Sequence, residues 1–229
     1  MYLISVFVDE YGNDRDLKGA IISMSEHLTQ KTFSILTNPN GFQQNPDLVD
    51  DFYRLSSRLL QRCSYEYLQS SQIDRIIEQI VSNCNLEHRD ASASMIAFVQ
   101  TLAKLTTNSK NDPQLQSAAE IQQLARNFCE TYSPNLLTGL IRAILIDRVP
   151  SAIRLSISEF IADVKSFMPE KFSQWLSQSL NEIPRTTKNG LVEIVTQQQQ
   201  QQFYQILTQN DTQPSTIEDE LERYARLYR

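Results

Sequence analysis

Between residues 46 and 105 the chain repeats one pattern three times: an apolar stripe at helical spacing, closed by a short polar turn. Pro46 occupies a first helical position, where its missing N–H costs nothing, and Leu48, Phe52, Leu55 and Leu59 follow at helical spacing. Ile73, Ile76, Ile77, Ile80 and Val81 fall at i, i+3, i+4, i+7 and i+8, which places five β-branched residues on one face. After the connector 83–88, Asp90 is the expected cap of a third helix carrying Met95, Phe98, Val99, Leu102 and Leu105. Each such helix has a single stripe and a polar back, so it is stable only against neighbours. Antiparallel neighbours joined by short turns and repeated make a stack of helical hairpins. The chain has only 5 glycines and 8 prolines, few for a turn-rich all-β protein. No stretch carries the alternating signal of a strand. The pattern predicts an all-α solenoid, a right-handed superhelix of antiparallel helix pairs.

The flanking segments fit the same plan. Met1–Val8 reads as the end of a buried helix without a beginning, closed at Gly12. Residues 16–36 read as a helix with Leu17, Ile21, Met24, Leu28 and Ile35 inward, stopped by Asn38-Pro39-Asn40-Gly41. Residues 106–113 read as a polar loop, with Asp112-Pro113 opening a helix whose stripe is Ile121, Leu124, Ala125 and Phe128. Pro134, Pro150 and Pro169 are each expected to start a further helix. Residues 184–190 form a basic polar turn, and the glutamine run 197–202 is short enough to extend the helix through Phe203, Ile206 and Leu207. Ile217, Leu221, Tyr224 and Tyr228 make a last amphipathic helix. The count is about eleven helices over residues 1–229, read as one array of about five repeats, truncated at its amino-terminal end.

Several function classes are disfavoured. With His27 and His88 as the two histidines, far apart and without HxE or HExxH context, no metal site is expected. His88 reads instead as a residue of a helix-start turn. No GxGxxG, GxxxxGK[ST] or GxSxG string occurs, and no cofactor or catalytic residue is expected. Cys63, Cys84 and Cys129 form no CxxC pair and read as buried thiols of a reducing compartment. No run approaches the ~20 apolar residues of a membrane span, and Met1–Val8 lacks the basic start of a signal peptide. The net charge of −6 disfavours direct nucleic-acid binding. That charge is concentrated: residues 1–53 hold eight acids against three bases, −5 of the −6. A solvated acidic face is the plain account of it.

Certain strings point to a family. Val8-Asp9-Glu10-Tyr11-Gly12, the stretch from Asn40-Gly41-Phe42 through Asn45-Pro46-Asp47-Leu48-Val49-Asp50-Asp51-Phe52 to Leu55, and Leu86-Glu87-His88-Arg89-Asp90-Ala91 resemble the carboxy-terminal part of transportin-SR. So do Trp175-Leu176 with Ser179-Leu180, and the terminal Ala225-Arg226-Leu227-Tyr228-Arg229. Members of that family are nuclear import receptors of the importin-β class that carry serine/arginine-rich splicing factors. The resemblance is densest over residues 8–105 and weakens over 106–150; the glutamine run departs from it. It implies HEAT repeats and a cargo-binding role. The resemblance implies that Ran in the GTP form binds the amino-terminal half of a full-length member, and that an arginine-rich helix engaging phosphorylated cargo lies just before the matched stretch. Nuclear pore proteins are further implied partners, with shuttling between cytoplasm and nucleus.

An arginine-serine cargo presents guanidinium groups alternating with phosphates, and its arginines call for carboxylates. Asp50 and Asp51 match the family's acidic pair near cargo; Asp47, Asp9 and Glu10 are weaker candidates by proximity. Asp47, beside Pro46, also has the simpler role of a helix-start charge. The alternative is a HEAT scaffold for another protein partner, unrelated to nuclear transport, with the acidic patch incidental.

Overall fold

The computed structural model describes residues 1–107, 115–147, 149–186 and 193–228. In chain order its helices are α1 (Tyr2–Tyr11), α2 (Arg15–Leu36), α3 (Gly41–Gln44), α4 (Pro46–Arg62), α5 (Ser64–Leu68) and α6 (Ile73–Ser82). Then come α7 (Arg89–Leu105), α8 (Leu115–Arg142), α9 (Arg154–Phe167), α10 (Pro169–Glu182), α11 (Gln197–Thr208) and α12 (Pro214–Ala225). A π-helical turn, Ala143–Asp147, extends α8, and 3-10 turns cover Ser151–Ile153 and Arg226–Tyr228. Among the described residues there is no strand; one isolated antiparallel bridge joins Thr186 to Glu193.

The helices lie in two rows. α1, α4, α7, α9 and α12 pack side by side in one; α2, α5 with α6, α8, α10 and α11 make the other. Neighbours within a row run parallel where side chains record it. Asp51 near the start of α4 faces Met1, whereas Arg58 and Arg62 near its end face Asp9. The fold is an all-α HEAT-repeat solenoid. Its core is continuous along the chain, because each interior helix is covered by the next pair and by its row neighbours. An aromatic chain ties the rows together: Phe33 of α2 meets Phe52 of α4 at 5.2 Å between ring centroids, and Tyr53 meets Phe98 of α7 at 5.9 Å. The Tyr53 hydroxyl, fully buried, donates to the Ile76 carbonyl at 3.2 Å and so finds its partner across the rows.

Pro46 and Pro169 start helices as their position predicts. Pro150 precedes a 3-10 turn that leads into α9. The glutamine run does begin α11, capped by a reciprocal Thr196–Gln199 box, and Gln200 donates to the Leu180 carbonyl at 2.7 Å. His88, not Asp90, caps α7: its ring nitrogen accepts from Ala91 N–H. Pro134 starts nothing; it sits inside α8. The reason is phase. Ala125, Cys129, Ser133, Leu136, Leu137, Leu140 and Ile141 are all buried at unbroken helical spacing, so packing along the whole face outweighs the lost backbone hydrogen bond. The Asp112-Pro113 helix start lies outside the described residues, as does most of the 184–190 turn.

Two stripes are displaced from their expected positions. In α2, Ile35 is exposed and Leu17, Met24 and Leu28 are half-buried, while Ile21, Ser25, Thr29, Thr32, Phe33 and Leu36 face inward. Two of the small polar residues, Ser25 and Thr29, fit there because Gln72 serves them: Thr29 donates to its carbonyl oxygen at 2.5 Å, and its amide donates to Ser25 at 2.8 Å. In α4 the buried face is wider than one stripe and includes Val49, Tyr53, Ser56 and Leu60, as a helix with neighbours on two sides requires. α1 is buried through Ser5 and Val8 but leaves Leu3, Val6, Phe7 and Tyr11 exposed, so the expectation of a buried helix holds on one side only.

Gly12 ends α1 with φ −64°, a right-handed conformation open to any residue. Its role is space: a Cβ there would stand 2.6 Å from Cβ of Arg62 and 2.5 Å from the Val8 carbonyl. The Gly12 carbonyl in turn accepts from the Cys63 thiol at 3.2 Å. This contact sets how closely α1 approaches α4.

Burial pushes the thiols up, Cys63 to about 11 and Cys84 and Cys129 to about 12. Thiolate is the reactive form. At pH 8 the thiolate fraction, and with it the rate with an aromatic disulfide reagent, is expected to fall below that of free cysteine, which titrates near ~8.5, by roughly a few hundredfold for Cys63 and by roughly a few thousandfold for Cys84 and Cys129. A full burst of three equivalents without denaturant would contradict the packing around them.

Candidate functional site

The five acids singled out in the sequence fall on two adjacent helices but not in one cluster. Asp47, Asp50 and Asp51 lie in the first half of α4; Asp9 and Glu10 lie at the end of α1. Because α1 and α4 run parallel, the two groups sit at opposite ends of their seam. Rise along a helix is ~1.5 Å per residue, which puts Asp51 ~10–16 Å from the α4 residues that Asp9 meets.

Each end has its own pairing. Asp50, 19% exposed, accepts from Arg54 Nε at 2.7 Å one turn on in the same helix. This hydrogen bond, with the Asp50 charge, raises the pKa of Arg54 further. Asp51 points away from Asp50, as adjacent helical residues must. Its carboxylate is 56% exposed and lies 3.9 Å from the Met1 amino group. Asp9 bridges two guanidinium groups of α4, Arg58 Nη1 at 3.3 Å and Arg62 Nε at 3.8 Å. Glu10 and Asp47 are exposed.

Sequence reasoning missed the arginines. Arg54, Arg58 and Arg62 stand at i, i+4 and i+8 along α4, with side chains 61%, 37% and 42% exposed. Their spacing is visible in the sequence. Their acidic partner Asp9 is not, since it lies some fifty residues away and meets them only through the packing of α1 on α4. The seam therefore carries both signs: Asp50 and Asp51 toward the start of α4, then Arg54, Arg58 and Arg62, with Asp9 against the last two. Pairs this exposed contribute little to stability, about 0–1 kcal/mol each. Their significance is the geometry in which they hold the side chains.

A second charged array lies at the far end of the same row, where Glu222 of α12 stands 4.0 Å from Arg154 Nη1 and 3.3 Å from Arg226 Nη2, and Glu220 pairs with Arg223. A groove between α2 and α6 is lined by Glu26, His27, Gln30, Gln72 and Arg75, with Arg75 stacked 4.9 Å from the Phe33 ring centroid. His27 is engaged locally, its ring nitrogen 2.8 Å from the Ser23 carbonyl. A groove along α10 and α11 is lined by uncharged polar side chains such as Gln174, Ser177, Gln178 and Asn181, closed by Glu182 and Tyr204. Among the described residues no three His, Cys, Asp or Glu side chains are gathered as a metal site, and no helix is long and apolar enough to cross a membrane.

No protein-family model matches the chain. It is similar to Transportin MOS14 of Arabidopsis thaliana, 22% identical over 187 residues that cover 81% of this chain and 19% of the relative. The chain thus spans about a fifth of the length of the curated relative it matches. Together with the solenoid fold, this similarity supports a karyopherin-like relationship.

Proposed function

We propose that the chain is the carboxy-terminal, cargo-binding segment of a nuclear import receptor, and that its cargo is arginine-serine-rich protein. The observation that carries this reading is Asp51 beside Asp50 on α4, a largely open carboxylate next to one held by Arg54, on the seam of a solenoid similar to a transportin. Cargo arginines would be met by Asp50 and Asp51, with Asp47, Asp9 and Glu10 at the margins. Residues 1–229 act in this reading as one array of about five repeats. Ran in the GTP form and nuclear pore proteins are partners of the receptor as a whole, which moves between cytoplasm and nucleus. The role is binding, without catalysis.

The second reading, a HEAT scaffold for a different protein, is favoured by one observation: Asp50 and Asp9 are already paired within the molecule. Anisotropy of a labelled unphosphorylated arginine-serine peptide separates the two. Under the import reading the purified chain binds it in a salt-sensitive way, and replacing Asp50 and Asp51 together with Asn weakens binding by about threefold or more, as loss of exposed pairs would. No binding at low salt leaves the scaffold reading in place.

A further inference from the structure

We propose that the outer glutamine face of α11, with the amide-lined groove beside it on α10, is a contact surface through which two copies of this chain associate about a two-fold axis. The glutamine run is left unused by cargo binding at α1 and α4. Within the fold its six residues divide by role. Gln199 closes the capping box with Thr196, and Gln200 turns onto α10 to reach the Leu180 carbonyl. Gln197, Gln198, Gln201 and Gln202 are exposed, and Gln205, one turn on, joins them in lining one shallow recess. At about 100° per residue these five cover roughly 140° of the helix, on the side opposite the buried Phe203 and Leu207. Gln198, Gln202 and Gln205 recur at i, i+4 and i+7, the spacing of residues along the line where two helices pack.

Chemistry and charge select the occupant. α11 has no charged residue over its twelve positions. On the adjoining groove, Gln174, Ser177, Gln178 and Asn181 of α10 are uncharged as well, with Glu182 at the edge holding the Gln178 amide at 3.1 Å. Ordinary soluble surfaces are dotted with charges that keep copies apart; here a charged partner finds almost nothing to pair with. An amide carries two donors and an acceptor with two lone pairs, so a face built of amides is its own complement. Under a two-fold operation glutamines of one copy meet glutamines of the other, and donors and acceptors balance. A second copy is thus the partner whose matching face this sequence itself supplies. Position in the fold works the same way. Residues 1–53 carry −5 of the net −6, at α1 to α4, whereas α11 closes its row at the opposite end. Copies joined through α11 hold their acidic ends apart; joined through α1 they would press them together. Tyr204, half-buried in the groove, adds an apolar ring to the contact. So small and polar an interface belongs to the weak, transient class.

Sedimentation velocity of the purified chain at rising concentration reads the association directly. A reversible dimer is expected, half-formed on the order of 100 μM. It should change little between about 0.1 and about 1 M salt, because the contact rests on amides rather than ion pairs. Gln198→Glu, Gln202→Glu and Gln205→Glu together keep side-chain length and helix propensity while setting like charges face to face. That triple should weaken association by about tenfold or more. Gln198→Lys, Gln202→Lys and Gln205→Lys together should do the same, and an equimolar mixture of the two triples should associate again at low salt. Circular dichroism and melting confirm that both triples are folded, since the capping box and the Gln200 bond are untouched. A wild-type chain that stays monomeric to about 500 μM, several times the expected midpoint, overturns the proposal. Capture of a labelled glutamine-rich helical peptide by such a monomer would assign the face to another protein. Dimers that persist in the glutamate triple, or triples that fail to associate on mixing, overturn it as well, because the contact then lies elsewhere.

Discussion

Phe98→Asp and Ile77→Asp are each expected to abolish soluble, folded protein. Both side chains have no solvent exposure. Phe98 sits in α7, the central helix of its row, with the Tyr53 ring 5.9 Å away between centroids. Ile77 lies on the buried face of α6, beside the Ile76 whose carbonyl takes the Tyr53 hydroxyl. Truncating a buried Phe costs ~3–5 kcal/mol and a buried Ile ~2–5 kcal/mol. A carboxylate left in the vacated space without a partner adds several kcal/mol more. The sum meets or exceeds the ~5–15 kcal/mol that holds an ordinary domain together. Phe98→Leu is the control, because a near volume-conserving apolar change costs under ~1.5 kcal/mol. It should lower the melting temperature by about 2–6 °C for a chain of this size. Soluble fraction, circular dichroism and melting measure all three. Near wild-type melting for either aspartate variant would mean that the two rows do not meet where α4, α6 and α7 are placed.

These sites could be named from the sequence because their period is clean. In α6 the apolar residues recur at helical spacing without competitors, and in α7 Met95, Phe98, Val99 and Leu102 mark the centre of a buried face that Ser92, Ser94 and Ile96 widen. Where the buried face contains small polar residues, the period misleads. α2 buries Ser25 and Thr29 through a glutamine that arrives from the start of α6, while the more hydrophobic Ile35 faces water. No local rule places Gln72 there. Pro134 fails in the opposite direction: a strong local signal yields to a stripe that continues through it for about two turns on either side. The candidate site divides in the same way. The acids of α4 and the arginine spacing are readable, but the separation of Asp9 from Asp50 follows from the parallel run of α1 beside α4, and that is a property of the solenoid. So is Gly12, whose missing Cβ matters because Arg62 stands against it.

Reversing the acidic doublet should weaken binding of an arginine-serine peptide by tenfold or more while leaving the fold intact. Asp50 and Asp51 are the fifth and sixth residues of α4, beyond the first turn where the helix dipole is felt, so their charge matters little to the helix. Asp50→Lys would place a cation four residues before Arg54, a repulsion of ~0.2–0.5 kcal/mol that the helix tolerates. Binding is more sensitive. An exposed ion pair is worth ~0.2–1 kcal/mol, and exchanging attraction for repulsion doubles the swing at each position. Two positions then give ~0.8–4 kcal/mol, and the middle of that range exceeds the ~1.4 kcal/mol that makes a factor of ten. The shares are unequal. Asp51, 56% exposed, has its carboxylate open to a ligand, whereas Asp50, 19% exposed, is already committed to Arg54, so Asp51→Lys alone should cause the larger loss. The gap between wild type and the double variant should narrow as salt rises, because the Debye length contracts from ~10 Å at 0.1 M to ~3 Å at 1 M. Equal affinity of wild type and double variant at low salt, with melting unchanged, would reduce the doublet to solvated charge on α4 and put the scaffold reading first.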